Sequence, residues 1–285
     1  MGYMAVNDTS ATQAVKGERF RSLHQGDRAF VIPNPWDAGS ARLLASMGFE
    51  ALATTSMGYA FSCGRADMTL TREETLASAA EIVAASPLPV SADLENGFGD
   101  EVERVADTIR LAADAGLVGG SIEDATGRGD SPIYEMSLAV DRVRAAVEQA
   151  RRLPFAFTLT ARSENFLWGR PDLADTIARL QAFQEAGADV LYAPGLRTRE
   201  DIAAVVRSVD RPVNVLMGLQ GVQLSVDDLS AVGVRRISVG SALCRAAFGA
   251  VLRAAREMKE TGTFRWATDA ASPQELTEIF ARWEN

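Results

Sequence analysis

The sequence predicts an α/β chain folded as a (β/α)8 TIM barrel, and three observations predict it. Eight short apolar runs recur at intervals of roughly 25 to 35 residues, the spacing of βα units. The stretches between them carry helical periodicity and helix-boundary residues. The length, 285 residues, suits one large α/β barrel. An open doubly wound sheet is the other α/β arrangement, but the first βα turn has no G-x-G-x-x-G fingerprint. The expected organisation is a single barrel domain over 1–285, with a loose arm at 1–13 and a helical extension at 242–285.

After the arm, Ala14 to His24 has helical character, with His24 expected at the surface. The first apolar run is Phe30 to Asn34, followed by a helix from Trp36 to Met47. The second is Ala51 to Ser56, then a loop through Gly64 and Asp67. Thr71 opens the next helix as an N-cap with Glu74 three residues on, a capping box. The third run starts at Pro89 and ends in Asp93 and Glu95. A helix from Glu101 to Ala115 leads to the fourth, Gly119 to Asp124. The fifth is Phe155 to Ala161, and a helix from Asp172 to Ala186 leads to the sixth, Asp189 to Pro194. The seventh is Pro212 to Met217 and the eighth Arg236 to Gly240. Glycines at 116 and 187 close helices ahead of the following strands. Helices over Ala242–Thr261 and Ser272–Trp283 exceed what eight βα units need. Such an appendage packs on a neighbouring copy, so a homo-oligomer is expected.

Composition narrows the function. A net charge of -9 with no Lys/Arg-rich run offers nothing to a nucleic acid or an acidic membrane. No apolar run reaches spanning length and the first residues show no signal pattern, which predicts a cytoplasmic protein. Two cysteines make no disulfide framework, and one histidine leaves little room for a His-rich zinc site or a Ser-His-Asp triad.

In a (β/α)8 barrel the chemistry lies at the C-terminal ends of the strands. Asp93 and Glu95 are two residues apart, which puts both carboxylates on one face of a strand. Side by side they repel unless a cation or a proton sits between them. Glu123 and Asp124 end the fourth run, and Arg162 follows the inward-facing Thr158 and Thr160 of the fifth. Oxygen ligands without His or Cys select Mg²⁺, with Mn²⁺ the close alternative. The planar fork of Arg162 suits a substrate carboxylate. Each residue also has a plain structural use: Glu123-Asp124 as a helix cap, Arg162 as an ion-pair partner of Glu164 or Asp93.

Four segments occur in a distinctive order: Asn34-Pro-Trp-Asp-Ala-Gly-Ser-Ala, Ser91-Ala-Asp-Leu-Glu-Asn-Gly-Phe-Gly, Ser121-Ile-Glu-Asp and Ala161-Arg-Ser-Glu. Over roughly residues 20 to 265 the chain resembles the isocitrate lyase/phosphoenolpyruvate mutase superfamily. The resemblance implies a barrel whose last helix is swapped between subunits in a homotetramer, with Mg²⁺ and a 2-oxo or 2-hydroxy acid as substrate. It makes Asp93 the direct metal ligand, with Glu95, Glu123 and Asp67 holding metal-bound waters. Thr54, Thr55 and Ser56 would meet the substrate, Arg162 would bind its carboxylate, and Asn214 joins the substrate-binding set. The loop Ala125 to Glu135 would gate the site. That gate has no cysteine and no lysine, unlike isocitrate lyases and phosphonopyruvate enzymes. The implied reaction is cleavage of a C–C bond beside a 2-oxo acid through a pyruvate-like enolate. Tyr59, Tyr134 or a water are candidates for moving the proton. C–P chemistry, with Arg128 as the gate's cation, and a non-catalytic 2-oxo acid binder are the alternatives.

Overall fold

The computed structural model describes residues 13–283. Eight parallel strands form one sheet in the order β1-β8-β7-β6-β5-β4-β3-β2. The strands are β1 (Phe30–Ile32), β2 (Leu52–Ala53), β3 (Val90–Asp93), β4 (Gly119–Glu123), β5 (Thr158–Arg162), β6 (Val190–Tyr192), β7 (Val213–Leu216) and β8 (Arg236–Ser238). Ala53 donates to Pro33 O at 3.1 Å, tying the β2 and β1 edges together. The result is a nearly closed (β/α)8 barrel. Around it run α1 (Gln13–Leu23), α2 (Ala38–Ser46), α3 (Ser56–Ser62), α4 (Arg72–Ala85), α5 (Val102–Asp114) and α6 (Met136–Arg151). They are followed by α7 (Leu173–Glu185), α8 (Arg199–Arg207), α9 (Val226–Ala231), α10 (Ala242–Thr261) and α11 (Pro273–Ala281).

Local chemistry sets these boundaries. Thr71 and Glu74 form the expected capping box at α4. The second run is shorter than its apolar stretch because Thr55 turns its hydroxyl to Gly58 N, capping α3 and ending the strand. The 1–13 arm lies outside the described residues apart from Gln13, which opens α1 and donates to Ala113 O and Leu117 O at 2.8 and 2.9 Å.

α1 closes the N-terminal end of the barrel. Phe20 is fully buried there in a cluster with Ile32, Ala51 and Val118. His24 is a correction to the expected surface position: it is 5% exposed. It sits edge-on to Phe20 and Phe30, at 4.9 and 5.0 Å between ring centroids. A polar helix gave no sign that one face plugs a barrel. The larger core lies between the sheet and the helical ring, from Leu44 and Ile82 through Ile109 and Phe183 to Val205.

The last two helices differ. α11 lies against α2, with Trp283 Nε1 donating to Ser46 Oγ at 3.2 Å. Along α10 only Cys244 is buried, while Phe248, Val251, Leu252 and Met258 are exposed. No described helix is long and apolar enough to cross a membrane.

Candidate active site

Strand register assembles the site at the C-terminal mouth. Glu123, Arg162 and Tyr192 lie side by side across β4, β5 and β6. Asp93 ends β3 beside Ser121. Beyond it the backbone turns sharply: Glu95, Gly97 and Phe98 all take positive φ, at 48°, 79° and 62°. Two of these are not glycine, a strained turn of the kind that collects at functional sites. Arg142, fully buried, braces the turn by donating to the carbonyls of Asn96, Gly99 (2.7 Å) and Asp100.

The cavity above the strands has a volume of about 480 Å³. Asp67, Asp93, Glu95, Glu123, Arg162, Asn214 and the Thr54-Thr55-Ser56 segment all line it. Arg162 is the hub of its charged side. Its Nη1 donates to Asp93 Oδ1 at 2.8 Å and its Nε to Glu164 Oε1 at 2.8 Å, and Nη2 lies 3.2 Å from Glu123 Oε2. Burial alone would lower the guanidinium's pKa, but Glu164, Glu123 and Asp93 together hold it well above its ordinary value.

The acids outnumber this cation. Burial, then Asp93 and Asp67, push Glu95 up to about 8. Burial pushes Glu123 well above the carboxylate range, against the pull of Arg162. Burial also raises Asp67, with Asp93 adding to it. Glu95 Oε1 is buried with no hydrogen-bond partner. An all-oxygen, over-acidic set with an orphaned carboxylate oxygen fits a hard divalent cation. Among the described residues no three acidic, His or Cys groups come together closely enough to grip an ion directly. Water would therefore have to complete the coordination of such an ion, as it does for Mg²⁺ on one or two direct carboxylates.

The hydroxyls of the second run serve Asp93 and the backbone. Ser56 Oγ donates to Asp93 Oδ2 at 2.9 Å, and Thr54 Oγ1 accepts from Asp93 N at 3.0 Å. Asn214 is held at both ends of its amide: it donates to Ser238 Oγ and accepts from Arg236 Nε, each at 2.9 Å.

Other expected members lie elsewhere. Asp124 turns out of the mouth, accepting from Glu164 N at 2.8 Å and pairing with Arg179 at 3.2 Å. Tyr59 is not in this cavity. Its helix faces it toward Cys63 and Glu81, and it lines a small separate hollow beside Trp36 and Ile82. Arg128 is outside as well, with Nη1 2.8 and 3.1 Å from the two oxygens of Asp100. Tyr134 donates to the same Asp100 at 2.5 Å.

Three cavity residues stand outside the expected site set, although Glu164 was already named as a partner of Arg162. Glu164 lines the cavity nearly buried, and its motif Ala161-Arg-Ser-Glu had already marked it. Arg236 lies at the cavity floor, and its signal was a charge inside an apolar strand. Asn34 staples the barrel seam, donating to Thr54 O and accepting from Val239 N and Gly240 N.

Comparison with known proteins places this geometry. The phosphoenolpyruvate phosphomutase profile matches residues 20–259. An uncharacterised protein of Mycobacterium tuberculosis is 33% identical over 85% of this chain and 89% of its own length. An oxaloacetate decarboxylase of Pseudomonas aeruginosa is 30% identical over 84% and 83%. A Burkholderia cenocepacia structure, provisionally described as a lyase/mutase, superposes with TM-score 0.92 at 62% identity, covering 94% of this chain and 96% of that one. Oxaloacetate acetylhydrolase in complex with its product oxalate gives TM-score 0.83 at 26% identity, covering 94% of both chains. Phosphonopyruvate hydrolase, a complex with oxalate and Mg²⁺, shares the fold at TM-score 0.82 and 24% identity over 93% and 95% of the two chains. The chain belongs to the phosphoenolpyruvate phosphomutase family, within the isocitrate lyase/phosphoenolpyruvate mutase superfamily.

Proposed function

We propose that the protein is a Mg²⁺-dependent lyase, with Mn²⁺ able to substitute, that cleaves a C–C bond beside a 2-oxo or 2-hydroxy acid through a pyruvate-like enolate. The observation that carries this reading is the over-acidic cluster of Asp67, Asp93, Glu95 and Glu123 around one cavity, with Glu95 Oε1 unpartnered. The oxaloacetate decarboxylase and acetylhydrolase relatives support the reaction class.

Asp93 would hold the cation directly and Glu95, Glu123 and Asp67 through water, and the bound ion supplies Lewis-acid stabilisation of a developing oxyanion. Arg162 balances the acids and fixes Asp93 from one side while Ser56 fixes it from the other. Backbone N–H groups around Thr55 and Ser56 add hydrogen bonds to a substrate oxygen, typically worth a few kcal/mol in a transition state. Tyr59 faces a neighbouring hollow that shares Thr54, Thr55 and Ser56 with the cavity, so it does not meet the substrate side directly. Arg128 and Tyr134 hold the gate loop to Asp100. The C–P alternative needs a gate cation in the cavity, so this pairing favours C–C cleavage. In the same reading the protein is a cytoplasmic dimer or tetramer in which a second copy covers the exposed apolar residues of α10. Val251→Glu with Leu252→Glu should then shift the mass seen by light scattering to that of a monomer.

The functional test is turnover followed by NMR with oxaloacetate, isocitrate, methylisocitrate, a substituted malate and phosphonopyruvate. Metal-dependent product from one of the C–C substrates, abolished by EDTA and by Asp93→Ala, is expected. Mg²⁺-dependent oxalate binding without any product would reassign the protein as a 2-oxo acid binder.

A further inference from the structure

The cavity has two unlike sides. The acids and Arg162 come from the β2 to β5 half. Facing them are Leu216, Leu219 and the turn from β8 into α10, which contributes Gly240, Ser241 and Arg245. No acidic side chain lines that second wall.

A substrate with two anionic ends needs a second cation, and the arginines already described are committed. Arg162 is engaged by three carboxylates. Arg236 donates to Asn214 Oδ1 and Thr160 Oγ1, with its remaining Nη1 toward His24. Arg245 is the third arginine lining the cavity, and it pairs with no acid among the described residues. It stands at the start of α10, whose first turn holds no acidic residue. Its guanidinium is therefore free to meet an anion from the cavity, and its planar fork matches a carboxylate.

We infer that Arg245 is a specificity-determining residue that receives the distal carboxylate of a 2-oxo dicarboxylate. This rests on the functional reading above, in which the oxo acid end lies at Asp93. Between the two ends the ligand crosses Leu216 and Leu219, which suits a short carbon chain and disfavours a monocarboxylate that would leave the arginine unmatched.

Calorimetry with Mg²⁺ on the full chain tests the subsite, using oxalate and 3,3-difluorooxaloacetate as probes. Oxalate spans only the Asp93 end, whereas the fluorinated diacid reaches further. Arg245→Gln should weaken the diacid about 10- to 100-fold, the usual effect of losing a charge-assisted hydrogen bond, and leave oxalate within about twofold. Arg245→Lys should fall between wild type and Arg245→Gln. Equal losses for both probes, or none for the diacid, would overturn the inference. So would an Arg245-dependent preference for phosphonopyruvate, which would make the subsite one for phosphonates. Wild-type protein that binds oxalate but gains nothing from the diacid overturns the subsite alone. Wild-type protein that binds neither overturns the functional reading with it.

Discussion

Arg162 and Arg236 are both buried in the barrel interior, and their charges are balanced in opposite ways. At the mouth, Arg162 is ringed by Asp93, Glu123 and Glu164. Toward the floor, Arg236 has only neutral oxygens from Asn214 and Thr160, with His24 Nε2 3.4 Å away. Burial, with Arg162 adding to it and Tyr192 opposing, draws Arg236 down to about 10, while the acids hold Arg162 far above its ordinary value. A buried charge is tolerated if it is either paired or fully hydrogen-bonded. The floor uses hydrogen bonds and is a structural plug. The mouth uses carboxylates in excess of its own cation, the arrangement of a site built to receive another one.

Removing each arginine should break this comparison most sharply. Arg162→Leu strands the buried Glu123 and Glu164 beside half-buried Asp93 and should cost about 3–5 kcal/mol of stability, read by urea denaturation at pH 7.5. Equal stability to wild type would mean that the acids are not held by it.

The floor has its own pH signature. Burial, then Arg236, lowers the His24 pKa to about 3 from an ordinary value of 6.5. Phe20 O, 2.9 Å from Nδ1, opposes this only in part. The folded imidazole stays neutral where the unfolded one binds a proton, so stability is full above pH 6.5 and is lost as pH falls from there toward 3. By pH 4.5 the loss from this group is about 2–3 kcal/mol. His24→Gln should flatten that limb relative to wild type in paired denaturation curves at pH 7 and 4.5. Parallel curves would place a charged imidazole in the folded state.

Arg236→Met, by contrast with Arg162→Leu, leaves only neutral acceptors behind and should cost about 1–2 kcal/mol in the same urea assay. A loss matching that of Arg162→Leu would erase the distinction between mouth and floor.

These contrasts also mark what the sequence could say. Period-two alternation put Thr158, Thr160 and Arg162 on one inward face, and the barrel rule put the strand ends at one mouth. Glu95, expected on the same strand face as Asp93, instead follows the end of β3 in a left-handed turn. Parity gives a face but not a partner. Asp124 follows Glu123 directly and is taken by Arg179, 55 residues on in α7. Arg128 lies in the loop after β4, where Asp100, from a different loop, holds it. Tyr59 left the mouth because Thr55 caps a helix where the apolar run suggested a continuing strand. His24 and Arg236 are 212 residues apart, and only barrel closure brings them together. Local pattern fixes elements and faces, whereas matching one buried charge to another depends on packing between elements.

The most direct test of the central claim, that the mouth acids are a cation site centred on Asp93, is oxalate titration by calorimetry. Wild type and Asp93→Ala would each be measured with Mg²⁺ and with EDTA. The account predicts one oxalate per chain with Mg²⁺, no binding in EDTA, and at least about a hundredfold weaker binding in Asp93→Ala, beyond the roughly 10- to 100-fold cost of losing a mere outer-shell partner. Oxalate bound equally well in EDTA, or by Asp93→Ala, would contradict it.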